Sequence, residues 1–229
     1  MRALLLGNSG RPFLEHCRGT IADFLGAARR VGFVTAATLG DKDDYWQRAR
    51  DALSPAGLTV EHVRWNSGPL ATLERVEAVF VGGGNTYALL QRLHASKLLD
   101  AIRVRARAGM PYVGSSAGSN VAGPTILTTN DWNVVALDRF DALALVPFNV
   151  NPHYLEADPA MATGSETRDD RIREYHVINA NPVCGIEEGT WIRVEDGIAT
   201  VGGRGRVKVF RRGADPTWVC AGDRLPMDQ

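Results

Sequence analysis

The sequence predicts an α/β fold in three layers, with a mostly parallel sheet flanked by helices. Short aliphatic runs alternate with longer stretches of helical period through the first two-thirds of the chain, which is typical of βαβ units. After about residue 183 short strand-like runs follow each other closely, which favours a C-terminal antiparallel meander. The 229 residues show no Gly/Ser-rich or Pro-rich linker, no internal repeat and no charge block. We therefore expect one domain over residues 1–229.

The predicted strands of the parallel sheet are the aliphatic runs Ala3–Leu6, Val31–Thr35, Thr59–Arg64, Ala78–Val81 and Tyr112–Gly114. The intervening segments predict helices over Pro12–Ala28, Asp41–Leu53, Thr86–Leu98 and Leu99–Ala108, with a further one starting at Ser116. Proline at position 12 suits the first turn of a helix, because its missing N–H needs no partner there. The C-terminal strands are predicted at Val183–Ile186, Thr190–Val194, Ile198–Val201 and Val207–Arg211.

Charge and composition exclude several classes of protein. Lys+Arg and Asp+Glu number 26 each, and a nucleic-acid binder needs a basic excess. The apolar runs are far shorter than the roughly 20 residues that cross a bilayer, and the first one ends at Gly7, too early for a signal peptide. We expect no membrane association and a cytoplasmic location. The three cysteines and five histidines lack disulfide-framework or zinc-site spacing, so no metal and no other cofactor is predicted.

The segment Pro-Tyr-Val-Gly-Ser-Ser-Ala-Gly-Ser-Asn at residues 111–120 runs from a predicted strand through Gly-x-Ser-x-Gly into a helix-compatible stretch. This context is typical of a nucleophile elbow, a tight turn in which glycines flank a serine held in strained backbone geometry. Ser116 is therefore the candidate nucleophile, and Ser115 occupies the variable slot of the motif. The alternative is an ordinary glycine-rich turn without catalytic function.

A second glycine-rich turn, Gly82-Gly83-Gly84-Asn85-Thr86, also lies between a predicted strand and a predicted helix. Consecutive glycines leave N–H groups pointing above the sheet, so one interpretation is an oxyanion-hole donor that acts together with the Ala117 N–H. Phosphate or dinucleotide binding at the helix N-terminus is the second interpretation, although the pattern is neither GxGxxG nor GxxxxGK[ST]. A tight turn without a ligand is the third.

A serine hydroxyl becomes a good nucleophile only when a base takes its proton and an acid orients that base. His153 is the best candidate base, because it follows a short apolar run and stands beside Pro152, where a strand end would present it. Asp131 and Glu188 compete for the role of the acid, and their spacing in the sequence does not decide between them.

Six motifs are informative as a set: Gly-Gly-Gly-Asn-Thr at 82–86, Ser-Ser-Ala-Gly at 115–118, Thr-Thr-Asn-Asp at 128–131, Asn-Pro-His at 151–153, Glu-Thr-Arg at 166–168 and Glu-Gly-x-Trp at 188–191. In this order, and over nearly the whole chain, the sequence resembles the α-aspartyl dipeptidases of the peptidase E type. Their serine peptidase family also contains the cyanophycinases. The resemblance implies a fold similar to the class I glutamine amidotransferases and hydrolysis of dipeptides that begin with aspartate.

The resemblance also implies a role for each matching residue. Ser116 corresponds to the family's nucleophile and His153 to its general base. The third member corresponds to either Asp131 or Glu188. We favour Glu188 as the direct partner of His153, with Asp131 as a second carboxylate near the site.

Outside the triad, the resemblance assigns the oxyanion donors to the N–H groups of Gly84 and Ala117. Arg168 corresponds to the residue expected to hold the aspartyl side chain of the substrate, and Asn85 is expected to line the same pocket. A guanidinium suits this task because it grips a carboxylate with two parallel hydrogen bonds. The alternative for Arg168 is an ordinary salt bridge on an exposed helix, worth roughly 0–1 kcal/mol.

Two positions depart from the family pattern as we know it. Ser115 stands where a larger residue is common, and Glu187 stands where a proline is usual. The resemblance therefore constrains the range of substrates less than it constrains the type of reaction.

Two other functions are therefore kept open. One is a cyanophycinase-like hydrolase that releases β-aspartyl-arginine. The other is a non-catalytic, amidotransferase-like binding protein. Glutaminase activity is disfavoured, because the amidotransferases of this fold use cysteine at the elbow and this chain has Ser116. A small peptide is the expected partner, and a homodimer is a family-level expectation.

Overall fold

Five parallel strands form the centre of the fold, as predicted. They are β1 (Arg2–Leu6), β2 (Arg30–Val34), β3 (Thr59–Val63), β4 (Ala78–Val81) and β5 (Tyr112–Ser115). In the computed structural model, which describes residues 1–158, 164 and 166–226, they lie in the order β3-β2-β4-β5-β1. Strand β8 (Thr190–Glu195) pairs antiparallel with β1, and β9 (Ile198–Gly203) pairs antiparallel with β8. The result is one mixed sheet of seven strands.

Helices cover both faces of this sheet, which confirms the predicted α/β class. One face carries α1 (Arg18–Leu25) and α2 (Lys42–Leu53), and the other carries α3 (Pro69–Arg75), α4 (Thr86–Ala95) and α5 (Leu98–Arg107). Successive side chains of a strand point to opposite faces. Leu4 and Leu6 of β1 accordingly pack with α1 and α2, whereas Leu5 packs with α4 and α5. Among the described helices, none is long and apolar enough to cross a membrane.

The first predicted helix is shorter than its sequence pattern indicates. Helix α1 begins at Arg18 rather than at Pro12. Leu14 adopts a φ of 57°, which a right-handed helix does not contain, so the residues before Arg18 form turns. Gly26, with a φ of 61°, ends the helix before Ala28. The remaining helices are the four-residue α6 (Ala117–Asn120) and α7 (Arg168–Ile178).

The predicted C-terminal strands all form, but they divide between two sheets. Strands β8 and β9 extend the large sheet, while β7 (Val183–Glu187), β10 (Val207–Phe210) and β11 (Thr217–Val219) belong to a second sheet with the order β11-β10-β7-β6. Its last member, β6 (Asn149–Tyr154), pairs parallel with β7. The buried side chains of Val150, Ile186 and Val207 bring this sheet into the same core as the large one.

The carboxyl ends of β4, β5 and β1 are neighbours in the large sheet. The two glycine-rich turns follow β4 and β5, and the polar turn Gly7-Asn8-Ser9-Gly10 follows β1. In open α/β sheets, ligands bind at this edge. The fold thus places the three loops in one position for a functional site.

Candidate active site

Ser116 lies on a strained turn between β5 and α6. Its φ of 54° and ψ of −112° belong to a region that residues other than glycine rarely adopt. A Cβ on Gly114 would collide with the carbonyl oxygen of Gly118, and a Cβ on Gly118 would collide with that of Val81. The Ser116 N–H donates to the Leu6 carbonyl at 3.1 Å, which ties the turn to β1. This is the geometry that the Gly-x-Ser-x-Gly pattern predicts for an elbow.

A chain of two hydrogen bonds joins Ser116 to His153 and His153 to Glu188. Ser116 Oγ lies 2.9 Å from His153 Nε2, and His153 Nδ1 lies 2.9 Å from Glu188 Oε1. A carboxylate only accepts, so Nδ1 carries the proton and Nε2 is free to accept from the serine. The three side chains are therefore arranged as nucleophile, base and orienting acid.

His153 is presented by an irregularity in β6. The pairing of β6 with β7 shifts register between Pro152 and Tyr154, and His153 between them has a φ of 54°. Bulges of this kind re-aim a side chain and are common beside active sites. The expectation that His153 stands at a strand end was close, but its strand belongs to the second sheet rather than to the large one.

Glu188 is held by the turn between β7 and β8. The Gly189 N–H, next in the chain, donates to Asn8 Oδ1 at 2.9 Å. The Gly7 N–H donates to the Thr190 carbonyl at 2.9 Å. The polar turn after β1 therefore fixes the position of the carboxylate that faces His153.

Asp131 lies in a different hydrogen-bond network. Its Oδ2 accepts from the Thr86 N–H at 2.7 Å, from Thr86 Oγ1 at 2.6 Å and from Thr129 Oγ1 at 3.2 Å. Thr86 is the first residue of α4, so Asp131 anchors the start of the helix that follows the three glycines. Within the described residues, the carboxylate that contacts His153 is that of Glu188.

The backbone N–H groups of Gly84 and Ala117 donate to no acceptor among the described residues. The neighbouring Gly83 N–H is occupied, because it donates to the Tyr45 hydroxyl at 2.7 Å. Burial raises the pKa of that Tyr45 hydroxyl, which keeps it neutral. Of the three glycines, Gly84 thus offers a free donor beside the elbow, with a φ of 137° that only glycine adopts readily.

Asn85 is the N-cap of α4. Its Oδ1 accepts from the Ala88 N–H at 2.9 Å, and its Nδ2 donates to the Trp132 carbonyl at 2.9 Å. Both ends of the amide are therefore engaged in holding the helix start and the loop beside it.

Arg168 is the first residue of α7 and is half-buried. Burial, and secondarily the charge of Arg171, lowers the pKa of its guanidinium. It forms no hydrogen bond or ion pair with the described residues. It lines two small cavities, of about 50 and 240 Å³, that both include Asn130. Asn130 Nδ2 donates to the Pro152 carbonyl at 2.8 Å, so these cavities lie beside the residue that precedes His153.

The acids near Arg168 are paired with other cations. Glu166 lies 3.1 Å from Arg171, and Asp170 lies 3.0 Å from Arg173. Asp169 pairs with the buried ammonium of Lys208 at 2.8 Å. The salt bridge considered as the alternative for Arg168 is therefore not formed with any of them.

Ser116, His153 and Glu188 share one cavity of about 730 Å³. Its lining residues surround the elbow from the segments after β1, β2 and β4 and from α2. They are Asn8, Ser9, Gly10, Arg11, Thr38, Tyr45, Arg48, Gly83, Gly84, Ser116, His153 and Glu188. Neither Arg168 nor Asn85 is among them. The polar turn after β1 gave a sequence signal for Asn8 and Ser9, but Tyr45 and Arg48 gave none, since they lie within an ordinary amphipathic helix.

The two departures from the family pattern have defined surroundings. Ser115 is fully buried, and its Oγ lies 2.8 Å from Ser9 Oγ. Glu187 Oε2 accepts from the Arg206 N–H at 2.7 Å. The Glu187 charge is therefore directed at Arg206, and its side chain does not line the cavity.

A serine on a strained turn, hydrogen-bonded through a histidine to a carboxylate beside two free N–H groups, defines the site of a serine hydrolase. The model of Peptidase family S51 matches residues 3–202. Peptidase E of Streptomyces coelicolor is 45% identical over 228 residues, covering 98% of this chain and 93% of its own length. The probable alpha-aspartyl dipeptidase of Drosophila melanogaster is 45% identical over 214 residues, covering 91% of this chain and 89% of its own.

A solved structure with a similar fold supports the same family. A putative peptidase E protein from Listeria monocytogenes EGD-e superposes with a TM-score of 0.69 at 25% identity, covering 89% of this chain and 98% of its own. The chain belongs to peptidase family S51. It is a serine peptidase, as the sequence motifs predicted.

Proposed function

We propose that the chain is a dipeptidase that removes an N-terminal aspartate from Asp-X through an acyl-enzyme on Ser116. The observation that carries this proposal is the unbroken hydrogen-bond chain from Ser116 Oγ through His153 to Glu188. The names of the relatives, peptidase E and probable alpha-aspartyl dipeptidase, support the choice of substrate.

In the proposed reaction, Ser116 Oγ attacks the carbonyl carbon of the aspartyl residue while its proton passes to His153 Nε2. His153 then gives this proton to the departing amine as the C–N bond breaks. A water attacks the acyl-enzyme, His153 takes its proton, and the proton returns to Ser116 Oγ as free aspartate leaves. Glu188 holds the imidazole in the required tautomer and stabilises its charged form.

The oxyanion of the tetrahedral intermediate is proposed to bind the N–H groups of Gly84 and Ala117. Their lack of other acceptors supports this assignment, because a preorganised donor pair needs no rearrangement when charge develops. We assign Asp131 a positioning role, since its three hydrogen bonds fix the start of α4 and with it the end of the glycine turn.

Arg168 is proposed to bind the side-chain carboxylate of the N-terminal aspartate. A half-buried guanidinium without an acidic partner among the described residues loses hydration without compensation, so an anionic group of the substrate would stabilise it. For Asn85, whose amide is engaged at both ends, we propose a supporting role at the helix start.

The composition of the Ser116 cavity disfavours a cyanophycinase-like activity. A leaving group that contains arginine needs a free carboxylate, and the one lining carboxylate within the described residues, Glu188, is hydrogen-bonded to His153. Arg11 and Arg48 line the same cavity and would repel such a group. A small acidic peptide fits this charge better. The cytoplasmic location and the homodimer stay predictions from the sequence.

The test is a screen of the purified protein with matched dipeptides: Asp-Leu, Glu-Leu, Asn-Leu and Leu-Leu. We expect release of free leucine from Asp-Leu at a kcat/KM at least about 100-fold above that for Asn-Leu, since the two differ only in the charge that Arg168 would bind. Equal rates for Asp-Leu and Asn-Leu would contradict the proposed specificity. Absence of hydrolysis of all four would contradict the dipeptidase function.

A further inference from the structure

Two arginines line the Ser116 cavity, and no step of the proposed reaction uses them. Arg11 lies in the turn that follows β1, and Arg48 lies on α2. We propose that Arg48, assisted by Arg11, binds the free C-terminal carboxylate of the substrate and thereby restricts the enzyme to dipeptides. This inference deepens the proposed function and rests on it.

The charges of the substrate require a second cation. An Asp-X dipeptide carries two carboxylates and one ammonium group. Arg168, which lines cavities other than that of Ser116, is assigned to the side-chain carboxylate. The second carboxylate belongs to the residue after the scissile bond and must be accommodated with the leaving group. Because Glu188 is engaged with His153, the charged groups of the Ser116 cavity that can take a substrate carboxylate are its two arginines.

Arg48 is held by aromatic rings and keeps part of its guanidinium free. Its Cζ lies 5.5 Å from the centroid of the Tyr45 ring and 5.8 Å from that of Phe13. Its Nε lies 3.1 Å from Asp44 on the same helix, while its two terminal nitrogens bond to none of the described residues. Contacts with aromatic rings restrict a guanidinium, so Arg48 loses less freedom when its terminal nitrogens take a carboxylate.

The same tyrosine connects Arg48 to the elbow. The Tyr45 hydroxyl accepts from the Gly83 N–H at 2.7 Å, and a Cβ on Gly83 would come within 3.0 Å of Ser116 Cβ. One extended residue spans roughly 3.3–3.6 Å, so the carboxylate of a dipeptide stays close to the reacting carbon. A longer peptide places a neutral amide at this position instead, and the arginine then gains no ion pair.

Arg11 is exposed and forms no hydrogen bond or ion pair with the described residues. Its position on the cavity rim lets it approach the same carboxylate from the turn after β1. We assign it the smaller share, because Arg48 has the aromatic contacts that reduce the entropy lost on binding.

The experiment compares Asp-Leu with Asp-Leu amide, which differs only in the terminal carboxylate. Wild type should prefer the acid by about tenfold or more in kcat/KM. Arg48→Ala should lower kcat/KM for Asp-Leu by about 10- to 100-fold, mainly through KM, and should leave the amide within about threefold. For Arg48→Lys, kcat/KM on Asp-Leu should lie between the values for wild type and for Arg48→Ala, because lysine keeps the charge and loses the planar fork.

Arg50→Ala is the matched control. Arg50 lies on the same helix, stacks on Trp46 with its Cζ 5.1 Å from the ring centroid, and does not line the cavity. This variant should retain wild-type kinetics on both substrates.

Two results would overturn the inference while leaving the proposed function intact. An equal loss on acid and amide in Arg48→Ala would mean that Arg48 acts on the fold around Tyr45. An unchanged rate on Asp-Leu would mean that Arg48 has no role in binding. Failure of the proposed function looks different, since wild type would then hydrolyse neither substrate, and the inference would fall with it.

Discussion

The Ser116 cavity and the small cavities beside Arg168 differ in how their charged groups are satisfied. In the first, the carboxylate of Glu188 is bonded to His153, which is bonded to Ser116. In the second, Arg168 is half-buried, and the acids around it are paired with other cations. The catalytic groups of the first region are thus paired with one another before a ligand binds, whereas Arg168 has no acidic partner among the described residues.

This difference separates two tasks of an enzyme. Catalytic groups gain from being oriented before the substrate arrives, because no reorganisation is then needed in the transition state. Groups that select a substrate gain from being unsatisfied, because the correct substrate then supplies what is missing and a wrong one leaves a buried charge unpaired. Two matched pairs test this separation: the carboxylates Glu188 and Asp131, and the arginines Arg168 and Arg173.

The largest effect should come from Glu188. Glu188→Gln removes the charge that orients and stabilises His153, and we expect kcat on Asp-Leu to fall by about 10³- to 10⁴-fold. Asp131→Asn keeps an acceptor for Thr86 and Thr129, so its fall in kcat should be about 10-fold or less. Steady-state kinetics of the two variants, with thermal melting as a check of folding, measures both. If Asp131→Asn shows the larger fall in kcat, the assignment of the acid is reversed.

A smaller effect is expected from Arg168. Arg168→Ala should lower kcat/KM for Asp-Leu by about 100-fold, the order of a lost charge-assisted pair, while Tm changes little because no ion pair within the described chain is broken. Arg173→Ala is the control, since that arginine lies on the same helix, is exposed and paired with Asp170, and does not line the cavities of Arg168. Parallel losses of Tm and kcat/KM in Arg168→Ala would show that Arg168 is structural. Kinetics of Arg168→Ala equal to those of the control would show that Arg168 does not bind the substrate.

Much of the fold was accessible from the sequence because local patterns decide it. The five parallel strands were predicted to within about one residue at each end, since their β-branched or aliphatic runs are bounded by polar turns and, except in the edge strand β3, are buried on both faces. Helix α1 was predicted too long, because helical periodicity continues through residues that Leu14, at a φ of 57°, excludes from the helix. Strand β6 was not predicted as a strand, because Asn151 and Pro152 lower its strand propensity, and its pairing with β7 is a tertiary effect.

Ser116 could also be predicted from the sequence, because its turn has no room for a Cβ at Gly114 or Gly118, and this requirement leaves the pattern Gly-x-Ser-x-Gly. Residue spacing did not decide between Asp131 and Glu188, and only the resemblance favoured Glu188, since the choice depends on which loop the second sheet brings to His153. Arg48 and Tyr45 left no local signal, because a helix that packs on a sheet and one that also lines a cavity have the same periodicity. This part of the site forms only through contacts between segments that are distant in the sequence, so a local pattern does not predict it.

The central claim is that Ser116 is the nucleophile of a preassembled triad, and covalent labelling tests it most directly. A fluorophosphonate probe should add one label to the wild-type chain, located on Ser116 by peptide mass spectrometry. Ser115→Ala, which changes the buried neighbour bonded to Ser9, should still be labelled and should still hydrolyse Asp-Leu. Ser116→Ala should lose both labelling and hydrolysis. Retention of Asp-Leu hydrolysis in Ser116→Ala, or a label on Ser115 in the wild type, would contradict the account.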